Sequence, residues 1–244
     1  MDIPEPIQGF CSTFLDGLSA VLQRKLFAVY IYGAWAFPEG KAKGDVDLHV
    51  ILTGPLSDEE KSRIEDLHTA VASEFSSLAG ERPDAWYILI NDARGTRPPA
   101  HQLSEALVDE SWALHWAHIR AGRCIVLYGP EPRGLLSEPS WEELDVALQG
   151  ELRYVARQLA DYPAYCVLNL CRLIYSYQTR DVVVSKHASA LWARQMFPDK
   201  GPCIEAAMRI YEGAGSEAER RHVESEASSF FHFATERINA IRGA

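Results

Sequence analysis

The sequence is short of several things that would each fix its class. Five cysteines in 244 residues stand at Cys11, Cys124, Cys166, Cys171 and Cys203 with no Cys-x-x-Cys spacing. The odd count and apolar neighbours argue against a zinc site or a disulfide framework and for reduced thiols in the cytoplasm. No apolar run approaches the roughly 20 residues that cross a bilayer. The opening MDIPEPIQGF is acidic and carries proline, unlike a secretory signal. There is no internal repeat and no Lys/Arg run. With a net charge of −10, that lack excludes a grip on a nucleic-acid polymer. An acidic surface suits a cationic small molecule instead.

What is present is concentrated between Tyr30 and Leu52, YIYGAWAFPEGKAKGDVDLHVIL. An apolar run ends at Gly33, a loop containing Gly40 and Gly44 follows, and Asp45-Val46-Asp47 opens a second apolar run. Alternation in a strand puts Asp45 and Asp47 on one face and Val46 in the core. Paired carboxylates repel unless a cation lies between them. An oxygen-only donor set suits Mg²⁺, which binds one or two carboxylates plus substrate phosphates. Gly33 lets backbone N–H groups approach a phosphate. Lys41, Lys43 and the Gly44 backbone, in the loop before Asp45, are within reach of the same anion. The pattern therefore predicts a metal–nucleotide site.

Hydrophobic periodicity divides the chain in two. Residues 9–26 read as an amphipathic helix, followed by strands at 27–33 and 46–52. Ser57 with Glu60 forms a capping box for a helix to about Leu78. A strand at Trp86–Ile90, a helix from Gln102 to Arg120 and a short strand at Cys124–Leu127 complete the first part. Pro132, Gly134 and Pro139 mark a linker. Beyond it the spacing is helical throughout, with segments from Trp141 (capped by Ser140), 162–179, 185–196, 201–213 and 217–241. The expected architecture is α+β: a mixed sheet with flanking helices over 1–138, then an all-α bundle over 139–244.

The Gly33…Asp45-x-Asp47 segment resembles the signature of the nucleotidyltransferase superfold, in which a Gly-Ser pair precedes Asp-x-Asp. Ala34 stands at the serine position, a loss of one hydrogen bond worth about 0.5–1.5 kcal/mol. The segments HIRAGRCIVLYGPEP, CVLNLCRLIYSYQT, VVVSKHASALWA and CIEAAMRIYEG are similar, in order and spacing, to the streptomycin/spectinomycin adenylyltransferases. The resemblance runs from about residue 25 to 240. It implies a nucleotidyltransferase-type mixed sheet followed by a helical domain, with transfer of AMP from ATP to a hydroxyl of an aminoglycoside-type antibiotic. Asp45 and Asp47 become the Mg²⁺ ligands, and Gly33, Ala34 and Gly44 line the nucleotide.

A third carboxylate is expected from the later strand as general base or further ligand. Asp84 is the candidate, where the family usually has Glu, and Asp92 is the competitor. The resemblance assigns Arg172, Lys186 and Tyr211 to the nucleotide. Arg172 otherwise reads as half of an internal salt bridge, and Tyr211 as a core residue. Trp112 matches a tryptophan that lines the drug site, with Glu110 and His115 close by, although Trp112, Trp116 and Ile119 equally form a core aromatic stripe. Where the family places acidic residues for the drug's cations, this chain has Gln158 and Tyr162, with Asp161 the nearest acid. The expected partners are a nucleoside triphosphate and a small, cationic, hydroxyl-bearing acceptor. Neither nucleic acid nor membrane is expected, and the expected state is monomeric. The alternatives are the same transfer to a different acceptor, or a nucleotide-binding relative without catalysis.

Overall fold

The computed structural model describes residues 2–37, 44–104, 108 and 110–243. The loop residues Gly40, Lys41 and Lys43 lie outside them. Two compact units divide between Leu144 and Asp145, beyond the proline-rich linker.

The first unit is built around one four-stranded mixed sheet. Helix α1 (Gln8–Leu22) leads into β1 (Leu26–Ile31) and, after the loop, β2 (Leu48–Leu52). Helices α2 (Asp58–Glu74) and α3 (Ser76–Ala79) precede β3 (Ala85–Leu89), a turn of helix α4 (Ile90–Ala93), α5 (Trp112–Arg120) and β4 (Ile125–Tyr128). The strand order is β3-β2-β1-β4. β1 is antiparallel to β2 and β4, and β2 is parallel to β3.

Alternation sorts the strands onto two faces. Val46, Leu48, Val50 and Leu52 point to one core, with Phe10, Phe14 and Leu18 of α1 and Ile64 and Val71 of α2. Ala28, Tyr30, Tyr32, Ile51 and Ile88 point to the other, with Trp112, Trp116 and Ile119 of α5. Ser57 and Glu60 form the capping box at α2, Glu60 Oε2 accepting from the Ser57 N–H at 2.7 Å.

Two local expectations are corrected. The helix expected from Gln102 begins only at Trp112. Before it, His101 Nδ1 accepts from the N–H groups of Leu103 and Ser104 at 3.1 Å, and Gln102 N–H bonds the Tyr87 carbonyl at 2.9 Å. This stretch therefore covers the free edge of β3, as edge strands require. The helix expected to reach Leu78 breaks at Phe75 (φ −124°, ψ 47°) into α2 and α3.

The second unit is all-helical. Helix α6 (Trp141–Gln158) starts in the first unit at its Ser140–Glu143 capping pair and continues into the second. Then come α7 (Pro163–Thr179), α8 (Lys186–Met196), α9 (Gly201–Tyr211) and α10 (Glu217–Arg242). α7 is the central helix, buried on most sides from Cys166 to Tyr177. Cys166, Cys171 and Cys203 are buried here, as Cys11 and Cys124 are in the first unit, and all five are free thiols. Burial pushes each thiol up, Cys11 to about 11, so they stay protonated.

The last turn of α10 is held by Asp145, whose carboxylate accepts from Arg242 Nε and Nη2 at 2.9 and 2.8 Å and from the Tyr177 hydroxyl at 2.8 Å. These bonds hold the Asp145 carboxyl below its ordinary pKa, Arg242 being the larger cause. The stabilisation is thus present at neutral pH and lost as pH falls through that lowered value. Asp145→Asn is expected to lower stability by about 1 kcal/mol at pH 7, discounted for partial exposure. Urea titrations should show the gap closing as pH drops below the ordinary aspartate range, about 3.9.

Candidate active site

The site is built where β1 ends and β2 begins. Tyr32 N–H donates to the Asp47 carbonyl at 3.0 Å, so the β1–β2 pairing continues one residue beyond the strands. Gly33 then turns the chain at φ +68° into a short 3-10 turn, Gly33–Ala36. A Cβ at residue 33 would lie 1.9 Å from Asp47 Oδ2. Glycine is therefore required twice, for the positive φ and for the carboxylate pressed against its Cα. Trp35 Nε1–H donates to the Gly44 carbonyl at 3.3 Å and ties the two ends of the loop together. Ala34 is half-exposed in the turn.

Val46 is wholly buried while Asp45 is exposed and Asp47 half-buried, so both carboxylates leave the core at the same edge. Asp45 leans toward Gly80, whose added Cβ would stand 3.9 Å from its Oδ1, while Asp47 leans toward Gly33. Like charges two residues apart favour that divergence. The parallel register pairs Leu48 with Ala85, and the Leu48 N–H donates to the Asp84 carbonyl at 2.8 Å. One step back, Asp47 and Asp84 are neighbours, about 4.8 Å apart along the sheet. Alternation puts Asp84 on the face of Trp86 and Ile88, the face that carries His49 and Asp47. Asp92 instead follows the C-terminal end of β3, about 17 Å away along a five-residue strand.

Among the described residues, no three His, Cys, Asp or Glu side chains form a ready-made metal cluster. The donor set nonetheless fits Mg²⁺. Asp45 and Asp47 supply hard oxygens at an exposed edge, and this ion draws its remaining ligands from substrate phosphates and water.

Behind the carboxylates the same face is aromatic. His49 is wholly buried, its ring 4.2 Å from Tyr32, 5.0 Å from Trp112 and 5.5 Å from Trp116, between centroids. His115 joins this layer at 4.6 Å from Tyr32. Trp112 is itself wholly buried, its indole N–H donating to the Gly95 carbonyl at 3.1 Å. It belongs to the core stripe with Trp116 and Ile119, and offers no exposed surface to an acceptor. Glu110 is exposed in the turn ahead of α5.

The second unit gathers its cations separately. Lys186, the first residue of α8, has its ammonium 4.8 Å from the centroid of Tyr165 and 5.4 Å from that of Tyr211, and 3.5 Å from the Tyr211 hydroxyl. The three residues come from the start of α8, the end of α9 and the first turn of α7. A cation opposes the dipole at a helix N-terminus, and ring faces compensate in part. Arg172 is 24% exposed and pairs with Glu151 at 3.6 Å, the salt-bridge alternative. Burial pushes the Tyr165 hydroxyl up to about 12. Asp161 is exposed in the turn between α6 and α7.

Sequence reading missed Glu151, and it missed the pair of Arg82 with His68. His68 had a visible signal. It falls at helical spacing between Ile64 and Val71, in the apolar stripe of α2, where a polar ring needs partners. Arg82 has no local signature, because its partners are sequence-distant.

The Gly33–Asp47 contact is testable against Gly44, which has φ +90° but nothing within 4 Å of an added Cβ. Gly44→Ala is expected to cost about 1 kcal/mol from backbone strain alone. Gly33→Ala should cost about 3 kcal/mol and shift the Asp47 carboxyl ¹³C resonance, which Gly44→Ala leaves in place.

Comparison with known proteins bears on both units. Residues 135–237 match the family model for the C-terminal domain of the aminoglycoside adenylyltransferases. No curated protein sequence matches the chain. Among solved structures, the spectinomycin adenyltransferase AAD(9) from Enterococcus faecialis, crystallised with ATP and spectinomycin, superposes with a TM-score of 0.76. The match covers 95% of this chain and 98% of that one at 16% identity. By sequence over residues 135–237 and by fold over nearly its whole length, the chain is similar to the aminoglycoside adenylyltransferases.

Proposed function

We propose that this protein is a Mg²⁺-dependent adenylyltransferase that moves AMP from ATP to a hydroxyl of an aminoglycoside-type antibiotic, and so confers resistance. The observation that carries the reading is the carboxylate edge: Asp47 seated on Gly33, Asp45 two residues before it, and Asp84 alongside in register. That edge belongs to a fold shared with an adenyltransferase crystallised with ATP and spectinomycin. A Mg²⁺ ion bound there would supply charge neutralisation on the triphosphate and polarisation of the α-phosphate. Asp45 and Asp47 would hold it, and the Gly33–Ala36 turn and Gly44 would present backbone N–H groups to the phosphates.

In the reaction, the acceptor oxygen forms a bond to the α-phosphorus as the bond to pyrophosphate breaks, and the hydroxyl proton passes to Asp84. Lys186 and Arg172 are assigned to the phosphates and Tyr211 to the nucleotide beside Lys186. For Arg172 this means exchanging Glu151 for a phosphate oxygen. Glu110 and Asp161, both exposed acids, are assigned to the acceptor's cationic groups. The protein is placed in the cytoplasm, where ATP is abundant and its five free thiols stay reduced. Among the described residues no helix is long and apolar enough to cross a membrane. We assign a nucleotidyltransferase domain to 1–138, a helical domain to 139–244, and a monomeric state.

A second reading, the same transfer to a different acceptor, is favoured by Gln158 and Tyr162, which stand where the family has acids. A panel of acceptors separates the two. With ATP radiolabelled at the α-phosphate, label is expected on spectinomycin or streptomycin, and Asp47→Asn is expected to reduce transfer about 1000-fold, equivalent to ~4 kcal/mol. Lys186→Ala should instead raise the KM for ATP. Label on some other acceptor establishes the second reading. ATP binding with no transfer to any acceptor identifies a non-catalytic relative.

A further inference from the structure

One seven-residue stretch, Leu78–Asp84, from the end of α3 to the residue before β3, touches both parts of the carboxylate edge. At its start the Leu78 carbonyl accepts from the Val46 N–H at 3.0 Å, and Gly80 stands beside the Asp45 carboxylate. At its end the Asp84 carbonyl accepts from the Leu48 N–H at 2.8 Å. Between these contacts, Arg82 reaches back to α2. Its Nε–H donates to His68 Nδ1 at 3.0 Å, and its Nη2 donates to Glu65 Oε1 at 2.8 Å.

The buried imidazole joins this arm to β3. Arginine has no acceptor, so His68 Nδ1 must accept, and the ring proton sits on Nε2. That proton points at the Tyr87 hydroxyl, 2.8 Å away. Burial and the Arg82 charge push the His68 pKa down to about 3, so the ring is neutral at any working pH. Arg82 lies two residues before Asp84 and Tyr87 three residues after it. Both are bonded to one histidine on a packed helix, so Asp84 is bracketed from both sides. The Ala85 carbonyl, next in the chain, also lies 3.3 Å from His101 Nε2.

We propose that Arg82 is a positioning residue of the acidic site, fixing through His68 and Glu65 where Asp84 and the Gly80 turn stand relative to Asp45 and Asp47. The proposal rests on the reading of these carboxylates as a metal-holding, adenylyl-transferring edge. A structural role alone would show chiefly in stability. With side-chain exposures of 48% and 47%, the Arg82–Glu65 pair belongs to the exposed class that contributes little to stability.

The test compares wild type, Arg82→Ala, Arg82→Lys and Glu65→Ala by Mn²⁺ binding in the presence of ATP (electron paramagnetic resonance), by transfer kinetics and by thermal unfolding. Groups that orient metal-holding residues are worth about 10–100-fold in metal affinity or rate. Arg82→Ala should therefore weaken Mn²⁺ binding about 10-fold and lower kcat in step with little change in the KM for ATP, alongside a fall in Tm from the buried His68 Nδ1 left without its donor. Arg82→Lys keeps the charge but cannot make the planar fork, so it should fall between. Glu65→Ala, cutting one exposed arm, should shift Mn²⁺ binding the same way by less. Guanidinium in solution should restore binding to Arg82→Ala and do nothing for wild type. Mn²⁺ affinity within about twofold of wild type in the folded variants overturns the proposal. If wild type transfers label to no acceptor, the transferase reading falls, while the Mn²⁺ comparison still decides whether Arg82 positions the site.

Discussion

The contact between the Asp47 carboxylate and the Cα of Gly33 is the constraint on which the rest of the site depends. A charged oxygen sits where any other residue's Cβ would begin. The strand must therefore end at that glycine, turn at positive φ and leave through the 3-10 turn toward the loop. The Trp35–Gly44 bond closes the loop and returns the chain on β2 with its carboxylates at the same edge as the turn. Backbone N–H groups and carboxylates thus occupy one small volume, the arrangement a metal-bound phosphate needs. An alanine at position 34 leaves this geometry intact, because the turn is set by its neighbours' backbone.

Much of this was legible in the sequence because its causes are local. Strand alternation fixes the face of Asp45 and Asp47 around the buried Val46, and the Ser57 and Ser140 caps with their partners three residues on mark helix starts. What escaped depends on pairing across distance. The sequence names Asp84 ahead of Asp92, but the parallel register of β2 with β3 that sets Asp84 beside Asp47 comes from tertiary packing. The late start of α5 escaped as well. Helical spacing from Gln102 onward is real, but the free edge of β3 takes the Gln102 N–H and the His101 ring takes those of Leu103 and Ser104. Periodicity could not choose between a core and a binding role for Trp112, since both put the ring on the same helix face.

Charge is divided between the units in a way their folds explain separately. The sheet edge exposes acids because strand ends are where polar residues can leave a core without losing hydration. In the helical unit two half-buried cations are compensated internally, Lys186 by two tyrosine rings and Arg172 by Glu151. Both compensations are weak. Ring faces return about 1 kcal/mol or less to a partly hydrated ammonium, and a 3.6 Å ion pair is long. Arg242 with Asp145 is by contrast a tight bidentate pair.

The aromatic layer behind the acids bears on their placement. Tyr32, His49, Trp112, Trp116 and His115 pack ring to ring beneath the carboxylate edge, with Trp112 and Trp116 anchored through their indole N–H groups to the Gly95 and Ala93 carbonyls. Such a layer is stiff, since each ring is fixed by its neighbours and exchange of rotamers needs a cavity that close packing does not provide. It backs the carboxylate edge with a close-packed apolar wall, so the carboxylates cannot relax into the core and their placement is set by the strand ends that carry them.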